Sequence, residues 1–316
     1  MAFQSLIPTG TRTDGIKRFL KAVGLYRAAV HLDRALDGVY AGCKNAFQIL
    51  HAAFENAAYD RANDADELPF PPSRMVYLVT NVYTHEWFFQ SGVRGTQSIR
   101  DILKRNSLEI DKFSSILDFG CGCGRIVRHW KDLKGPRLYG SDYNAMLVRW
   151  CASNLPFAEF AVNSLESGFD YEDEKFDFIY AISVFTHMTE EMGLFWIREL
   201  NRVLKPGGIM YLTFMGETRA RALRKELWEC FESGELVVTG AADAGGNSCA
   251  AFHPERYVRN VVAKGLNVLD FVPNGATDAF QDVFLLQKKG ARAESTNEMC
   301  RRDPPETVAL CIGVRP

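Results

Sequence analysis

The sequence predicts an α/β protein with a mostly parallel, doubly wound sheet, and three observations support this fold class. An apolar run ends in a glycine-rich loop within residues 116–125, and a second strand-like run follows at residues 138–141. Further on, a mostly apolar run at residues 176–185 precedes a helix end, a Pro-Gly-Gly stop and another strand. Strand signals that alternate with helix signals are typical of parallel sheets covered by helices.

The loop after the first strand has glycine at every second position. Residues 116–125 read Ile-Leu-Asp-Phe-Gly-Cys-Gly-Cys-Gly-Arg. Glycine lacks a Cβ and tolerates positive φ, so this main chain can turn sharply and approach a ligand closely. We therefore expect the loop to contact a small cofactor. Its candidate binding residues are Gly120, Cys121, Gly122, Gly124 and Arg125.

Two classes of cofactor use such a loop, and charge distinguishes them. A dinucleotide fingerprint has a small residue where this sequence has Arg125, and the Asp118 carboxylate would face the negative pyrophosphate. The same carboxylate would complement the ammonium group of S-adenosylmethionine (SAM). The residues therefore favour SAM, and the alternative for Asp118 is a cap of the turn.

An acidic residue closes the second predicted strand. The intervening residues 126–133 place their apolar side chains on one helical face, which indicates a strand–helix–strand unit. In such units an acidic residue at the end of the second strand accepts hydrogen bonds from a ribose diol. Asp142 has this position, and Tyr143 is a candidate to cover the adenine. The alternative for Asp142 is the N-cap of a helix that begins near Ala145.

With these features the sequence resembles the class I SAM-dependent methyltransferases, over about residues 68–289. Residues 160–164 resemble the third strand and the turn that reads the adenine edge, where Asn163 stands in place of a frequent Asp and Ser164 follows. Residues 176–188 resemble the fourth strand and its loop, which contains Ser183, and residues 200–214 resemble the helix end and fifth strand. The resemblance implies SAM as cofactor.

The resemblance also implies the architecture. We expect a seven-stranded, mostly parallel sheet in the order 3-2-1-4-5-7-6, with an antiparallel last strand near Asp282–Lys288. The loop after the fourth strand lacks the Asn/Asp-Pro-Pro-Tyr pattern of many DNA and protein-amide methyltransferases. A net charge of −2 provides no general attraction to nucleic acid. A small-molecule acceptor is therefore expected, and nucleic acid is not.

Two histidines are candidate general bases. Methyl transfer requires an aligned nucleophile and exclusion of water, and it requires a base only when the nucleophile carries a proton. His187 follows the fourth strand, at the sheet edge where parallel sheets bind ligands, and His253 precedes Pro254 at the start of a predicted helix. The structural alternatives are that His187 orders the helix start at Thr189 and that His253 caps a helix.

The cysteines do not form a metal pattern. None of the eight belongs to a C-x-x-C pair, and Cys121 and Cys123 are separated by one residue. We expect reduced, buried thiols and no metal. The sequence also lacks a signal-peptide pattern and an apolar stretch of about eighteen residues, so a cytoplasmic protein without an integral membrane segment is expected.

The chain is longer than one such domain requires. The predicted division is a helical extension and linker at residues 1–67, a methyltransferase domain at 68–290 and a flexible tail at 291–316. An apolar seam in the extension steps by four and three residues: Leu36, Tyr40, Cys43, Phe47, Leu50 and Phe54. Packing on the domain or a lid over the substrate is the first interpretation. A homodimer contact and a membrane-surface helix are the alternatives.

The predicted function is transfer of the SAM methyl group to an oxygen or nitrogen of a small molecule, for which a sugar or a secondary metabolite is the expected type. Two other classes stay open. A catalytically silent SAM-binding or partner-binding module would keep Asp118 and Asp142 but show no turnover. A nicotinamide-dependent oxidoreductase would require the fingerprint that Arg125 interrupts.

Overall fold

A central sheet of seven strands organises the protein. The computed structural model describes residues 46–61 and 67–290. In chain order the strands are β1 (Ser115–Phe119), β2 (Arg137–Asp142), β3 (Ala158–Val162), β4 (Phe176–Ala181), β5 (Leu204–Phe214), β6 (Val237–Thr239), β7 (Ala250–Phe252), β8 (Leu266–Ala276) and β9 (Gln281–Lys288). The central sheet has the order β3-β2-β1-β4-β5-β9-β8, and β6 and β7 pair separately.

The predicted fold class is confirmed. Counted along the seven strands of the central sheet alone, the order is 3-2-1-4-5-7-6. Strands β1 to β5 run parallel to one another, whereas β9 is antiparallel to both β5 and β8. The β6–β7 hairpin, which the sequence analysis did not predict, lies in the connection between β5 and β8 and leaves the order unchanged.

Helices connect the strands. They are α1 (residues 46–61), α2 (Ser73–Thr80), α3 (His85–Arg105), α4 (Ala145–Asn154), α5 (Glu190–Val203), α6 (Glu217–Ala220), α7 (Lys225–Glu232) and α8 (Glu255–Tyr257), which a π-helical turn at Val258–Val262 extends. Among the described helices, none combines the length and the apolar character that a membrane crossing requires.

Two helix starts have side-chain caps. The Asn144 side chain accepts a hydrogen bond from the backbone of Met146 at the start of α4, so Asn144, and not Asp142, is the N-cap. The Thr189 hydroxyl accepts one from the backbone of Met192 in the same way at α5. The cap of α4 therefore leaves Asp142 available for another role.

The prediction of a helix over residues 126–133 is wrong. Only a 3₁₀ turn forms there, at Val127–Trp130. Trp130 is buried and its indole nitrogen donates to the Tyr180 hydroxyl at 3.1 Å, and Arg128 is buried beside the Phe70 ring. Tertiary contacts thus fix the Arg128 and Trp130 side chains, and these contacts outweigh the helical pattern of apolar residues in the sequence.

Alternate residues of β1 enter separate apolar layers. Leu117 and Phe119 pack with Trp196 of α5 on one face of the sheet, while Ile116 packs with Ile99 of α3 on the other. Successive strand residues point to opposite faces, so a strand buried on both sides is apolar throughout. Ser115 and Asp118 are the polar exceptions in this strand, and the Asp118 carboxyl group is buried with the apolar residues.

Helix α1 docks on the domain through polar contacts. The buried Asn56 side chain donates to the Ser73 hydroxyl and to the Tyr83 carbonyl, both at 2.9 Å, and accepts from the His85 backbone at 2.7 Å. Asp60 contacts the His85 ring at 2.8 Å. The helix is therefore fixed by the face that carries Asn56.

The described part of the N-terminal extension packs on the domain, as first interpreted, but not through its apolar seam. Phe47, Leu50 and Phe54 are exposed and do not pack on the domain, because the opposite face of α1 carries the hydrogen bonds that dock it. Leu36, Tyr40 and Cys43 lie outside the described residues, as does the predicted tail at residues 291–316. The division of the chain near residues 67 and 290 stays a prediction.

We expect Asn56→Ala to loosen α1. The substitution leaves the Tyr83 carbonyl and the His85 N–H buried without their amide partner, at a cost of about 1–3 kcal/mol. Because a terminal helix can open separately, amide exchange across residues 46–61 should accelerate. Hydrogen-exchange mass spectrometry measures this, with the exposed Gln48→Ala as control. Identical exchange in Asn56→Ala and wild type would contradict the docking role.

Candidate cofactor cleft

A cleft opens at the carboxyl ends of the strands where the strand order reverses. It lies between the loops that follow β1, β2 and β4, and it encloses about 1190 Å³ of empty space, including its open mouth. Parallel sheets bind ligands at this switch point. Of the residues predicted from the sequence, those that line it are Asp118, Gly120, Cys121, Gly122, Arg125, Asp142, Tyr143, Asn163, Ser183 and His187.

The glycine loop has the positive φ angles that its sequence predicts. Gly120 and Gly122 have φ of +79° and +55°, a region that other residues rarely adopt. The N–H groups of Gly120 and Cys121 both donate to the Ser141 carbonyl, at 2.7 and 3.0 Å. A Cβ on Gly120 would lie 2.3 Å from Cγ2 of Val184. The loop can therefore follow this path only with glycine at these positions.

Gly124 has a different role from the one predicted. It also has positive φ, at +82°, but it does not line the cleft. A Cβ there would lie 2.5 Å from Cδ1 of Leu155 and 3.5 Å from Sγ of Cys151. Gly124 therefore permits close packing against the end of α4, and the prediction that it contacts the cofactor is corrected.

Asp142 joins the glycine loop to the end of β2. One carboxylate oxygen accepts from the Gly122 N–H at 2.9 Å and the other from the Asn144 N–H at 2.8 Å. Burial raises the pKa of Asp142, and these two hydrogen bonds oppose the rise. A carboxylate has about four acceptor sites, so Asp142 can accept further hydrogen bonds from a ligand in the cleft.

Asp118 is a buried carboxyl group beside the cleft. Burial raises its pKa from 3.8 to about 7, although a hydrogen bond from Tyr180 and the positive charge of Arg125 oppose this rise. Within the described part of the protein, its Oδ2 atom has no hydrogen-bond partner. A cationic donor in the cleft would satisfy this oxygen and favour the ionised form.

Arg125 also has a structural partner. Its guanidinium donates to Oδ2 of Asp278 at 2.6 Å, and the Asp278 side chain is completely buried. Asp278 lies in the turn between β8 and β9, so this pair ties the glycine loop to the far end of the sheet. Arg125 therefore lines the cleft and also holds the glycine loop in place through Asp278.

His187 presents one ring nitrogen as an acceptor. Its Nδ1 atom lies 2.7 Å from the Cys249 carbonyl oxygen, which can only accept, so Nδ1 carries the proton. In the neutral ring Nε2 is then the basic nitrogen. The side chain is partly exposed in the cleft, where a substrate can approach it.

Ser183 is held in an unusual backbone conformation. Its φ is +60°, and its N–H donates to the Thr213 hydroxyl at 2.9 Å. Gln281 completes the network, because its amide nitrogen donates to the Ser183 hydroxyl at 2.9 Å and its oxygen accepts from Thr213 at 2.7 Å. Strain of this kind concentrates at functional sites, and here it turns the loop after β4 into the cleft.

The two polar residues expected to read the adenine edge have different positions. Asn163 is buried, lines the cleft and accepts from the Ser141 hydroxyl at 2.7 Å. Ser164 does not line the cleft, and its hydroxyl accepts from the backbone of Glu166 and Ser167. Ser164 therefore shapes a turn, and its predicted cofactor contact is corrected.

His253 is also corrected, because it does not line the cleft. Its ring is buried between Phe214 and Tyr257, with centroid separations of 4.8 and 6.0 Å. Burial lowers the pKa of His253 to about 3, so the ring is neutral at physiological pH. A proline after a histidine predicts a helix start, as observed, but does not predict which way the ring points.

The thiols of the loop are buried and free. Cys121 and Cys123 form no disulfide. The hydrogen bond with Cys151 and then burial raise the pKa of Cys121, and burial raises the pKa of Cys123, so both thiols stay protonated. Cys151 and Cys249 are also buried and free, whereas the free Cys230 is exposed. The expectation of buried thiols is therefore confirmed for four of the five described cysteines.

The remaining wall of the cleft was missed by the sequence analysis. Leu78 and Val79 of α2 line one side, and the loop at residues 245–247 lines the other. The Asn247 amide joins these sides by donating to the Leu78 carbonyl and to the Asn81 side chain, both at 3.1 Å. The Gly-Gly-Asn sequence signals a turn, but nothing local indicates that it reaches a helix residue 169 positions earlier.

Comparisons with known proteins agree with this geometry. Residues 117–212 match the model of a methyltransferase domain family. The sterol 24-C-methyltransferase of Schizosaccharomyces pombe is 30% identical over 159 residues, which cover 49% of this chain and 39% of that protein. The malonyl-[acyl-carrier protein] O-methyltransferase of Salmonella typhimurium is 22% identical over 129 residues, which cover 39% and 47%.

A solved structure is also similar. A crystal structure of a SAM-dependent methyltransferase from Methanosarcina mazei is 22% identical, has a TM-score of 0.46, and covers 60% of this chain and 98% of that one. The chain spans about two-fifths of the length of the sterol methyltransferases that it matches.

The family match begins in β1 and ends in β5, so it contains the glycine loop and the strand ends that form the cleft. The segment that forms the cleft is therefore similar to a methyltransferase domain.

We expect Asp118→Asn to change how stability depends on pH. Between about pH 4 and 7 the folded protein keeps a proton on Asp118 that the unfolded chain has released, so the free energy of unfolding falls as pH rises. Raising this pKa from 3.8 to about 7 corresponds to a loss on the order of 4 kcal/mol above pH 7. The variant should lack this loss.

Urea denaturation of wild type and variant at several pH values measures the difference. Subtracting the two profiles removes the contribution of His253, whose lowered pKa makes stability rise with pH from about 3 to 6.5. The exposed Asp132→Asn is the control and should keep the wild-type profile. Parallel profiles for Asp118→Asn and wild type would contradict the assignment.

Proposed function

We propose that the protein transfers the methyl group of SAM to an oxygen or nitrogen of a small-molecule acceptor. The observation that carries this proposal is the buried Asp118 carboxyl group, whose Oδ2 atom has no hydrogen-bond partner among the described residues and which lines the cleft beside the glycine loop. The ammonium group of SAM is a cation with the donors that this oxygen needs.

The other residues of the cleft fit the remaining parts of SAM. Asp142 has free acceptor sites for a ribose diol, and the backbone of Gly120 and Gly122 can approach the ligand because no side chain intervenes. Asn163 is placed in the cleft near the end of β3, where it can meet the adenine edge. Tyr143, which is 45% exposed, can cover the base.

SAM supplies an activated methyl group and a good leaving group, so the chain has to position the nucleophile, exclude water and accept a proton. His187 is suited to the last task because its Nε2 nitrogen is the basic one. The hydrogen bond to Cys249 fixes the ring orientation, which a general base requires. Val79, Val184 and Met188 add apolar surface that excludes water.

The acceptor is inferred from the polar groups of the cleft. Ser183, His187 and Arg125 all line it, and each keeps hydrogen-bonding capacity beyond its partner within the protein, which a polar acceptor can use. A hydroxyl or amine also carries the proton that His187 can take. These groups therefore favour an oxygen or nitrogen nucleophile, with a sugar or a secondary metabolite as the proposed type.

We expect Asp142→Ala to weaken SAM binding roughly 10- to 100-fold, because hydrogen bonds to a charged group contribute about 1.5–3 kcal/mol. Isothermal titration with SAM and with S-adenosylhomocysteine measures the affinity, and Asp132→Ala controls for loss of an acidic residue. Thermal unfolding without ligand separates collapse of the loop from loss of contact. Unchanged affinity would remove the ribose assignment.

We expect His187→Ala to slow turnover about a hundredfold or more while SAM affinity stays within about threefold, because a general base contributes about that factor. The assay incubates protein, SAM and a small-molecule extract of its host, and measures S-adenosylhomocysteine and a product heavier by one methyl group. The exposed His51→Ala is the matched control.

The outcomes of this assay distinguish the alternatives. Full turnover in His187→Ala would mean that positioning alone accounts for catalysis. SAM binding without product from any extract would support a silent SAM-binding module. Binding of NAD without binding of SAM would support an oxidoreductase and overturn the proposal.

A further inference from the structure

The apolar seam that reaches into α1 follows a strict seven-residue repeat. Its spacing alternates between four and three residues through Leu36, Tyr40, Cys43, Phe47, Leu50, Phe54 and the smaller Ala57. A helix that packs on a globular core follows the 3.6-residue period of a straight helix, whereas a 3.5-residue period keeps an apolar seam against a second helix. The repeat therefore indicates a partner helix.

The domain itself cannot cover this seam. Ala52 and Asn56 face the domain and are buried, and in a helix with 3.6 residues per turn they lie on the side opposite to Phe47, Leu50 and Phe54. Turning the seam inward would break the three hydrogen bonds of Asn56. Helix α1 thus holds its apolar residues outward.

The exposed side chains are large. Phe47, Leu50 and Phe54 are 68%, 71% and 77% exposed, and they lie within two turns of one another. Single exposed apolar residues are ordinary, but a contiguous row of them marks an interaction surface. A partner that covers these side chains must itself be apolar, and the seven-residue repeat indicates that it is a helix.

Charge favours a second copy of the chain as this occupant. The positions that flank the seam include Ala46, Ala53 and Ala58, which are small and uncharged, so two such helices can approach closely without repulsion. Binding to anionic lipid would need several basic residues on the helix, but between residues 46 and 61 the only Lys or Arg is Arg61 at the end, and Glu55 and Asp60 are acidic.

The area is consistent with a dimer. The exposed parts of the two phenylalanines and the leucine offer roughly 300–400 Å² per copy, at about 150–200 Å² for a whole side chain. A stable interface of standard size needs about 800 Å² per partner. The described turns supply about half of this area. In the sequence the seven-residue repeat also includes Leu36, Tyr40 and Cys43, which lie outside the described residues.

We propose that this seam pairs two copies of the chain as a two-stranded coiled coil about a twofold axis. Each seam is its own complement, which a twofold interface requires. The pairing leaves the Asn56 face on its own domain. Dimerisation through α1 is independent of the methyl-transfer proposal, because none of the described seam residues, from Phe47 to Ala57, lines the cofactor cleft.

The test compares the oligomeric state of the full chain with that of Leu50→Glu. Light scattering after size exclusion and sedimentation velocity, from about 1 to about 100 μM protein, should show wild type at twice the 35.6 kDa chain mass. Leu50→Glu places two charges against each other in the seam and should raise the dimer dissociation constant at least about tenfold. The exposed Gln48→Glu, which adds the same charge off the seam, should remain dimeric.

A second measurement keeps the result interpretable. Under conditions where both proteins are monomeric, Leu50→Glu and wild type should unfold at the same temperature, because the substituted side chain is exposed in the monomer. Three results would overturn the proposal. They are a wild type that is monomeric throughout, a Leu50→Glu variant that dimerises as well as wild type, and a monomeric wild type that floats with vesicles of phosphatidylcholine and phosphatidylserine.

Discussion

The cofactor cleft depends on the hydrogen bonds that Asp142 makes with the glycine loop. One carboxylate connects the Gly122 backbone, the end of β2 and the Asn144 backbone at the start of α4. Parallel strands alone would bring these segments to one edge of the sheet, but they would not fix the distance between them. Because Asp142 holds the loop and still has acceptor sites open, the residue that shapes the cleft can also bind the ribose of the proposed ligand.

Asp118 shows how the site costs stability. Its carboxyl group replaces an apolar residue in a strand that is otherwise part of two hydrophobic layers, and burial raises its pKa to about 7. Tyr180 and the Arg125–Asp278 pair surround it with donors and charge, yet one oxygen keeps no partner within the described residues. A buried acceptor of this kind is destabilising in the empty protein and is satisfied when a cation binds.

Helix α1 and the cleft use polar contacts for different purposes. At α1, Asn56 uses both amide donors and its oxygen to pair with three groups of the domain, so its role is to fix an orientation. That orientation keeps the apolar seam outward, where hydrophobic association can act. At the cleft, acceptors on Asp118, Asp142 and His187 stay open toward a ligand. The hydrogen bonds of Asn56 thus hold the fold together, whereas the open acceptors of the cleft are available to a ligand.

The sequence by itself determined the features that depend on local chemistry. Positive φ at Gly120 and Gly122 favours glycine, and apolar runs favour buried strands. Residues at the ends of β2 and β4 lie at one edge of the sheet, so the sequence was enough to place Asp142 and His187 in the cleft. Only the tertiary structure decided the outcomes that depend on distant contacts. Leu155 made Gly124 a packing residue, Phe214 and Tyr257 enclosed His253, Ser164 turned to its own backbone, and Asn247 closed the cleft against Leu78. The physical reason is that residue type and spacing fix the backbone path over a few residues, whereas the direction and burial of a side chain depend on neighbours far along the chain.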